Sequence, residues 1–341
     1  MMNRRAVVAV LVAAALIALG VLWRGSGVGS DSVVVYVSHD QVFSEPILKD
    51  FQRDTGIRAR AVYDTEETKS AGIMNRLLAE SQNPQADVYW ANEPIRADLL
   101  RQRGVSAPYR SASADGIAAQ FRDPHDHWTG FSARARMLIF DRRLERKPNS
   151  IRSYTDPRFR GQAVIANPLF GTTTAHIAAL FTVWGDHQAK AFLGAMRDNG
   201  VRVASSNGDS ADQVAKGLAQ IALVDSDDVY SRQKEGKPIE GVYPDQDAEG
   251  PGCFIVPNAA VLIKRAPHPD AGRKLIDYLL SRDTEKKLAF SDAAQIPLHA
   301  GVDTPPHVPH LEKLKVMSVD YAAVATKMQQ IQPWLNEWAG R

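Results

Sequence analysis

The chain has 341 residues, 44% of them hydrophobic and 23% charged, enough to bury a sizeable core and roughly the length of two domains, which excludes a disordered or fibrous chain. Lys and Arg number 41 against 39 Asp and Glu, a formal charge of +2 with no basic block, so the electrostatic footprint of a nucleic-acid binder is missing. Cys253 stands alone, which excludes an intrachain disulfide, a cysteine-based zinc or iron–sulfur site and a CxxC redox pair.

In chain order, Arg4 and Arg5 precede an uncharged run of 18 residues from Ala6 to Trp23, closed by Arg24. A basic flank followed by such a run reads as a signal sequence or as a retained N-terminal membrane anchor over residues 6–23. No A-x-A site follows, although Gly25, Ser26, Gly27 and Gly29 offer small residues for cleavage. Loss of residues 1–24 removes three positive charges and no acidic one, leaving a nearly neutral chain outside the cytoplasm.

Ser32 to Val37 predicts a buried strand, and Gln41 to Thr55 a helix with Phe43, Ile47, Leu48 and Phe51 on one face, ending near Gly56. A strand over 57–63, a helix over 68–81 and a strand over 86–90 follow. This β-α-β-α-β alternation predicts a mostly parallel sheet flanked by helices. Residues 105–128 are rich in turns. A long strand over 129–140 leads into a second α/β unit, with strands over 163–166, 201–204 and 221–224 separated by helices at 172–184, 187–199 and 210–219. Two short strands, 253–256 and 259–264, precede helices near 269–281 and 283–290 and a last helix from about Asp320 to Trp338.

Ligands of open α/β sheets sit outside the carboxyl ends of the strands, where helix N-termini offer unpaired N–H groups. Those positions carry Ser38-His39-Asp40, Asp64-Thr65-Glu66, Asn92-Glu93 and Asp225-Ser226-Asp227-Asp228. Each alone is also a good helix cap. Gathered in one cleft, the carboxylates would repel each other unless a cation or donor-rich ligand neutralised them. The opposite chemistry occurs from Asn167 through Gly171 to Thr172-Thr173-Thr174, where a glycine and three hydroxyls at a helix start suit an anion. Arg134 and Arg136, two apart on a strand, share a face from which one or both can approach the same anion.

Enzyme signatures are absent: the sequence has no GxxxxGK[ST], GxSxG, HExxH or GxGxxG. Ser38, His39 and Asp40 are adjacent and point apart, so they form no triad. His125-Asp126-His127 is a weak metal pattern that reads more readily as a solvated loop. Tyr89, Trp90, Trp128, Tyr230 and Tyr243 can wall a cleft or fill a core.

Val35-Tyr36 followed by Asp40, Phe51 to Gly56 (FQRDTG), Ala86-Asp87-Val88 with Glu93, Arg134 and Arg136 before an apolar strand, Gly161 within FRGQAVIANP and the helix start GTTT resemble the ferric-iron class of type 2 periplasmic solute-binding proteins. The resemblance runs from about residue 31 to 300 and includes Pro267 to Ser281 (PHPDAGRKLIDYLLS) and Ala294 to Pro297 (AQIP). It implies a two-lobed α/β fold, each lobe a mostly parallel sheet flanked by helices, with hinge strands between lobes that close on a ligand. It also implies a receptor, not an enzyme, that delivers its ligand to the permease subunits of an ABC importer in the membrane. The expected organisation is a leader or anchor over 1–30, a first lobe over 31–133 and 248–305, a second over 134–247 and a C-terminal helical segment over 306–341.

In iron-binding members a His or carboxylate after the first strand, a Glu after the third and two consecutive tyrosines in the second lobe hold the ion, with an anion completing its shell. Asp40 falls at the first of these positions and Asn92 or Glu93 at the second. Asp227-Asp228 stands where the tyrosine pair would be. The resemblance thus implies Asp40, Glu93, Asp227 and Asp228 as metal ligands, with Thr65, Glu66, Asn92, Arg134, Asn167, Thr172, Thr173, Thr174 and Asp225 also lining the site. No cofactor is required; iron or another metal ion is the cargo, and the receptor acts as a periplasmic monomer without nucleic acid. Carboxylates also suit divalent cations or an organic ammonium, so a cationic or zwitterionic metabolite resembling an aminophosphonate is the alternative. A metal-dependent extracytoplasmic hydrolase and a membrane-held sensor or adaptor domain are further readings.

Overall fold

The computed structural model describes residues 32–64 and 71–340. β1 (Ser32–Val37), α1 (Gln41–Thr55), β2 (Arg58–Tyr63), α2 (Ala71–Ala79) and β3 (Val88–Ala91) follow the expected alternation, with β1 parallel to both β2 and β3. Ile47, Leu48 and Phe51 form the buried stripe of α1. The helix stops at Gly56, whose φ of 73° is the left-handed conformation glycine adopts without a Cβ clash, and whose N–H bonds the Gln52 carbonyl. The predicted leader or anchor, together with Thr65 and Glu66, lies outside the described residues. Among the described residues no helix is long and apolar enough to cross a membrane.

The next element, α3 (Pro94–Gln102), was not expected from the sequence. Glu93 caps it by accepting the N–H groups of Ile95 and Arg96, and Pro94 occupies its first turn, where proline's missing donor costs nothing. After β4 (Ser106–Ala107) and short 3-10 turns, β5 (Thr129–Asp141) runs for 13 residues, all buried.

β6 (Ala163–Ala166) leads into α4 (Gly171–Asp198), which breaks at Gly185 (φ 78°, ψ 163°) into the two helices expected. β7 (Arg202–Ala204), α5 (Asn207–Ala215) and β8 (Ile221–Asp225) follow. Next come α6 (Ser226–Lys234) and β9 (Ile239–Val242), neither of them predicted. The two short strands expected near 253–264 are one strand, β10 (Ile255–Ile263), with an irregularity at Pro257/Asn258. α7 (Pro269–Leu279), α8 (Arg282–Phe290) and α9 (Tyr321–Ala339) complete the chain.

The strands pair in the order β2-β1-β3-β10-β5-β8-β6-β7, with β4 beside β10 and β9 beside β5. β5 joins the two halves. Its N-terminal part, Thr129 to Ala135, pairs with β10, and its C-terminal part, Arg136 to Phe140, pairs with β8. At the junction Ser132 takes a left-handed φ of 38°, and the buried Glu285 accepts its N–H at 2.8 Å and that of Leu298 at 2.9 Å. α7 returns to the first half, packing on β1, β3 and β10. A Cβ on Gly272 would come within 3.1 Å of Leu262, which explains a small residue on the buried face of α7. α9 packs on α3 and α4; Tyr321 donates to the Ile255 carbonyl at 2.7 Å and Trp338 to that of Leu193 at 3.0 Å.

Candidate functional site

The carboxyl ends of β6, β7 and β8 present the N-termini of α4, α5 and α6 side by side. Asp225, the last residue of β8, faces Arg136 in the β5–β8 register. It accepts Arg136 Nη1 at 2.8 Å, Arg134 Nη1 at 3.2 Å and the Thr172 hydroxyl at 2.9 Å. Burial alone would raise the Asp225 carboxyl, but the two guanidinium groups overcome that and hold it below the usual carboxylate range. Arg136 is fully buried. Its Nη groups also donate to Thr172 at 3.0 Å, Asn207 Oδ1 at 3.1 Å, Thr173 at 3.1 Å and the Leu223 carbonyl at 2.9 Å. The expectation that Arg136 reaches an anion is therefore corrected: its Nη donors are spent inside the protein.

Asp227 and Asp228 open α6, where the helix N-terminus favours negative charge. Asp225, Asp227 and Asp228 each offer an oxygen, and these atoms lie within 4.8 Å of one another. Burial first, then the charges of Asp227 and Asp225, push the Asp228 carboxyl up to about 8. Arg232, one turn along, lies 3.6 Å from Asp228 and 2.9 Å from Asp212. Asp227 Oδ1 accepts the Asp228 N–H at 3.2 Å.

From the other half of the fold, Arg134 donates to the Asn92 carbonyl. Burial works against its charge, and Asp225, Asp227, Asp40 and Asp228 together outweigh that penalty. The structure thus assembles Asp40 after β1, Asn92 after β3 and Asp225, Asp227 and Asp228 after β8 around one buried guanidinium. Arg134 is the centre of that group.

Other expected site residues serve the fold. Both Glu93 oxygens are taken by the start of α3, at 2.7 Å from Ile95 N and 3.2 Å from Arg96 N, and by the Arg96 guanidinium at 2.9 Å. Glu93 is 1% exposed, so a metal role there would leave those donors orphaned. Asn167 Oδ1 accepts Leu169 N at 3.0 Å and shapes the turn before α4. Thr174 donates to the Pro168 carbonyl at 2.7 Å. The hydroxyls of Thr172 and Thr173 bond Arg136, Asp225 and Asn207, and so brace the cluster.

In the His125-Asp126-His127 loop, Asp123 accepts the backbone N–H groups of His125 and His127 at 3.0 Å and His127 Nδ1 contacts Ser106 at 2.9 Å. Tyr89, Trp90 and Trp128 belong to the core, while the Tyr230 and Tyr243 hydroxyls meet at 2.6 Å.

Sequence reasoning missed Asn207. Its amide donates to Thr172 at 2.9 Å and its carbonyl oxygen accepts from Arg136 and Thr173. It stands just past β7, so the strand-end rule applied to that short strand points to it.

The sequence profile described as bacterial extracellular solute-binding protein matches residues 86–324. An uncharacterized protein of Haemophilus influenzae is 26% identical, with 96% of each chain covered. Iron uptake protein A1 of Synechocystis is 24% identical, covering 79% of this chain and 76% of that one. A putative 2-aminoethylphosphonate-binding periplasmic protein of Salmonella typhi is 23% identical, covering 84% and 80%. Among solved structures, the ferric binding protein from Campylobacter jejuni superposes with a TM-score of 0.80 at 20% identity, over 90% of this chain and 99% of that one, a likeness of fold.

Proposed function

The chain belongs to the bacterial extracellular solute-binding protein family, a binding protein and not an enzyme, and from that premise we propose that it is the receptor of an ABC importer whose solute binds through a cation. The acidic wall is Asp227 and Asp228, with Asp40 acting on the same Arg134. The observation that carries this reading is the adjacent pair Asp227 and Asp228, whose oxygens lie within 4.8 Å of each other and of Asp225 and are hard donors that suit cations, while Asp225 itself is held by Arg134 and Arg136. The cargo is a metal ion, ferric iron with an accompanying anion in first place. It is carried as substrate, so the receptor needs no cofactor.

The same reading divides the chain at β5 into a first lobe of 31–133 and 248–305 and a second of 134–247, with 306–341 laid across both. It places the receptor in the periplasm as a monomer handing its cargo to permease subunits, with 1–30 as its leader or anchor.

A second reading is favoured by one feature, the pair Asp227-Asp228 itself. Phenolate suits ferric iron, and two carboxylates suit an organic ammonium equally well. A zwitterion would set its ammonium against this pair. Elemental analysis with native mass spectrometry on protein purified without added metal tests both readings, followed by calorimetry with ferric citrate and with 2-aminoethylphosphonate. Stoichiometric iron, or tight binding of ferric citrate alone, supports the metal reading. A metal-free protein that binds the aminophosphonate establishes the second, and binding of neither removes the cation site.

A further inference from the structure

Beneath the acidic cluster, within the half of the fold built on β6 and β8, lies a small cavity of about 20 Å³. Arg136, Tyr154, Thr173 and His176 line it together with apolar side chains of α4, β6 and β8. One water needs roughly 10–15 Å³, so the space suits a single molecule. Empty cavities in proteins are apolar. Here two lining residues carry buried polar atoms, Arg136 Nε and both ring nitrogens of His176, with no hydrogen-bond partner among the described residues.

Arg136 is fully buried and His176 is 2% exposed, so bulk solvent satisfies neither. The His176 ring stacks on Phe254 with centroids 5.3 Å apart, which leaves its nitrogens at the ring edge. Burial first, then the Arg136 charge, push His176 down to about 3. The ring is therefore neutral near pH 7, with one N–H and one acceptor nitrogen. An N–H donor on Arg136 and an acceptor on His176, carried by two residues that line the same small space, have no hydrogen-bond partner among the described residues.

We propose that this cavity is an internal hydration site whose single water accepts from Arg136 Nε–H and donates to the acceptor nitrogen of His176. The water takes one donor, supplies one, and keeps a hydrogen and a lone pair for the Thr173 side of the cavity; the remaining N–H of His176 is not among the groups it serves. The Nη groups of Arg136 are already committed to Thr172, Asn207, Asp225, Thr173 and Leu223. The water completes the guanidinium's donor set. It thereby steadies the residue to which Asp225 is tied, and it decides which His176 nitrogen holds the proton. Arg136 and His176 act here as positioning residues, and the inference stands whichever solute the receptor carries.

The test is high-resolution crystallography of the protein as isolated, with and without xenon pressurisation, joined to oxygen-17 relaxation dispersion, which counts long-lived internal waters. The expected result is one density peak within hydrogen-bonding distance of both Arg136 Nε and a His176 nitrogen, with xenon excluded. His176→Phe, which keeps an aromatic ring beside Phe254, should lower the count of long-lived waters by one, and His176→Gln, which keeps an acceptor, should restore it. Xenon entering a cavity without a water peak overturns the proposal, as does a count unchanged in His176→Phe. Should that variant fail to fold, the water peak and the xenon result on the unmodified protein decide the matter by themselves.

Discussion

Asp225 holds two buried guanidinium groups at 2.8 and 3.2 Å, so Asp225→Asn strips Arg136 of its paired carboxylate and Arg134 of the first of its counter-charges and should cost about 3–5 kcal/mol in denaturant unfolding. Asp227 and Asp228 differ from it in kind. A helix start needs one acidic cap at most, and here two carboxylates crowd together, with Asp228 held toward its neutral form. Asp227→Asn and Asp228→Asn, made separately, should leave the melting temperature nearly unchanged. Each should weaken solute binding tenfold or more, on the scale of the ~1.5–3 kcal/mol of a charge-assisted hydrogen bond. Normal affinity in both variants would dismiss the acidic wall. His176 gives the pH dependence. Its native value of about 3 lies below the roughly 6.5 of an unfolded histidine, so between these values the unfolded chain binds a proton that the native protein refuses. The stability it contributes is complete above pH ~6.5 and is lost as pH falls toward 3. Replacing His176 with Phe should flatten that acid limb in unfolding measured across the window.

Helix α3 shows why a residue that matches a family position need not do the family's work. Glu93 is one of the metal ligands the resemblance implies, yet its oxygens cap this helix and pair with Arg96. Glu93→Ala should therefore cost about 1 kcal/mol for the lost cap, with a further loss from stranding the Arg96 guanidinium, while the solute affinity of the folded fraction stays within twofold. Thermal melts and calorimetry on the same samples separate the two effects. α6 is the converse case. Only Ser226 and Val229 are buried in it, so it has no apolar stripe for periodicity to find, and its value lies in the two carboxylates it aims from the end of β8.

At the scale of the molecule, the site draws on strand ends from both halves of one continuous sheet, joined by β5. Asp40 and Asn92 lie on one side and Asp225, Asp227 and Asp228 on the other. A solute that touched both would favour the arrangement in which they are close, and the difference in its affinity for open and closed forms would drive closure. Small-angle scattering with and without a bound solute should show a smaller radius of gyration when it is present; an unchanged radius would count against a hinge at the β5 junction. Salt bridges such as Lys234–Asp292 at 2.5 Å and Lys327–Asp186 at 2.9 Å are too exposed to decide that balance, since pairs of this kind are worth ~0–1 kcal/mol.

Much of this architecture was legible in local pattern. The apolar stripe of α1, its glycine stop, the paired runs around Gly185 and the long buried strand at 129–141 follow from side-chain periodicity and backbone sterics, which act over a few residues. Family membership was equally legible in short stretches such as GTTT and PHPDAGRKLIDYLLS, both within the matched residues 86–324. What periodicity left out was α3, α6 and β9, short elements held by caps and by neighbours distant in sequence. The roles of the polar residues were also undecided, since Asp, Thr and Asn at a strand end have the same sequence signature whether they bind a ligand or brace a helix. Only the tertiary structure settles which partner lies within hydrogen-bond reach. It ties Arg136 to Thr172, Thr173, Asn207 and Asp225, gives Glu93 to α3, and leaves Asp227 and Asp228 crowded beside Arg134, because electrostatic and hydrogen-bond energies depend on distances of a few ångströms between residues as far apart as Asp40 and Asp228.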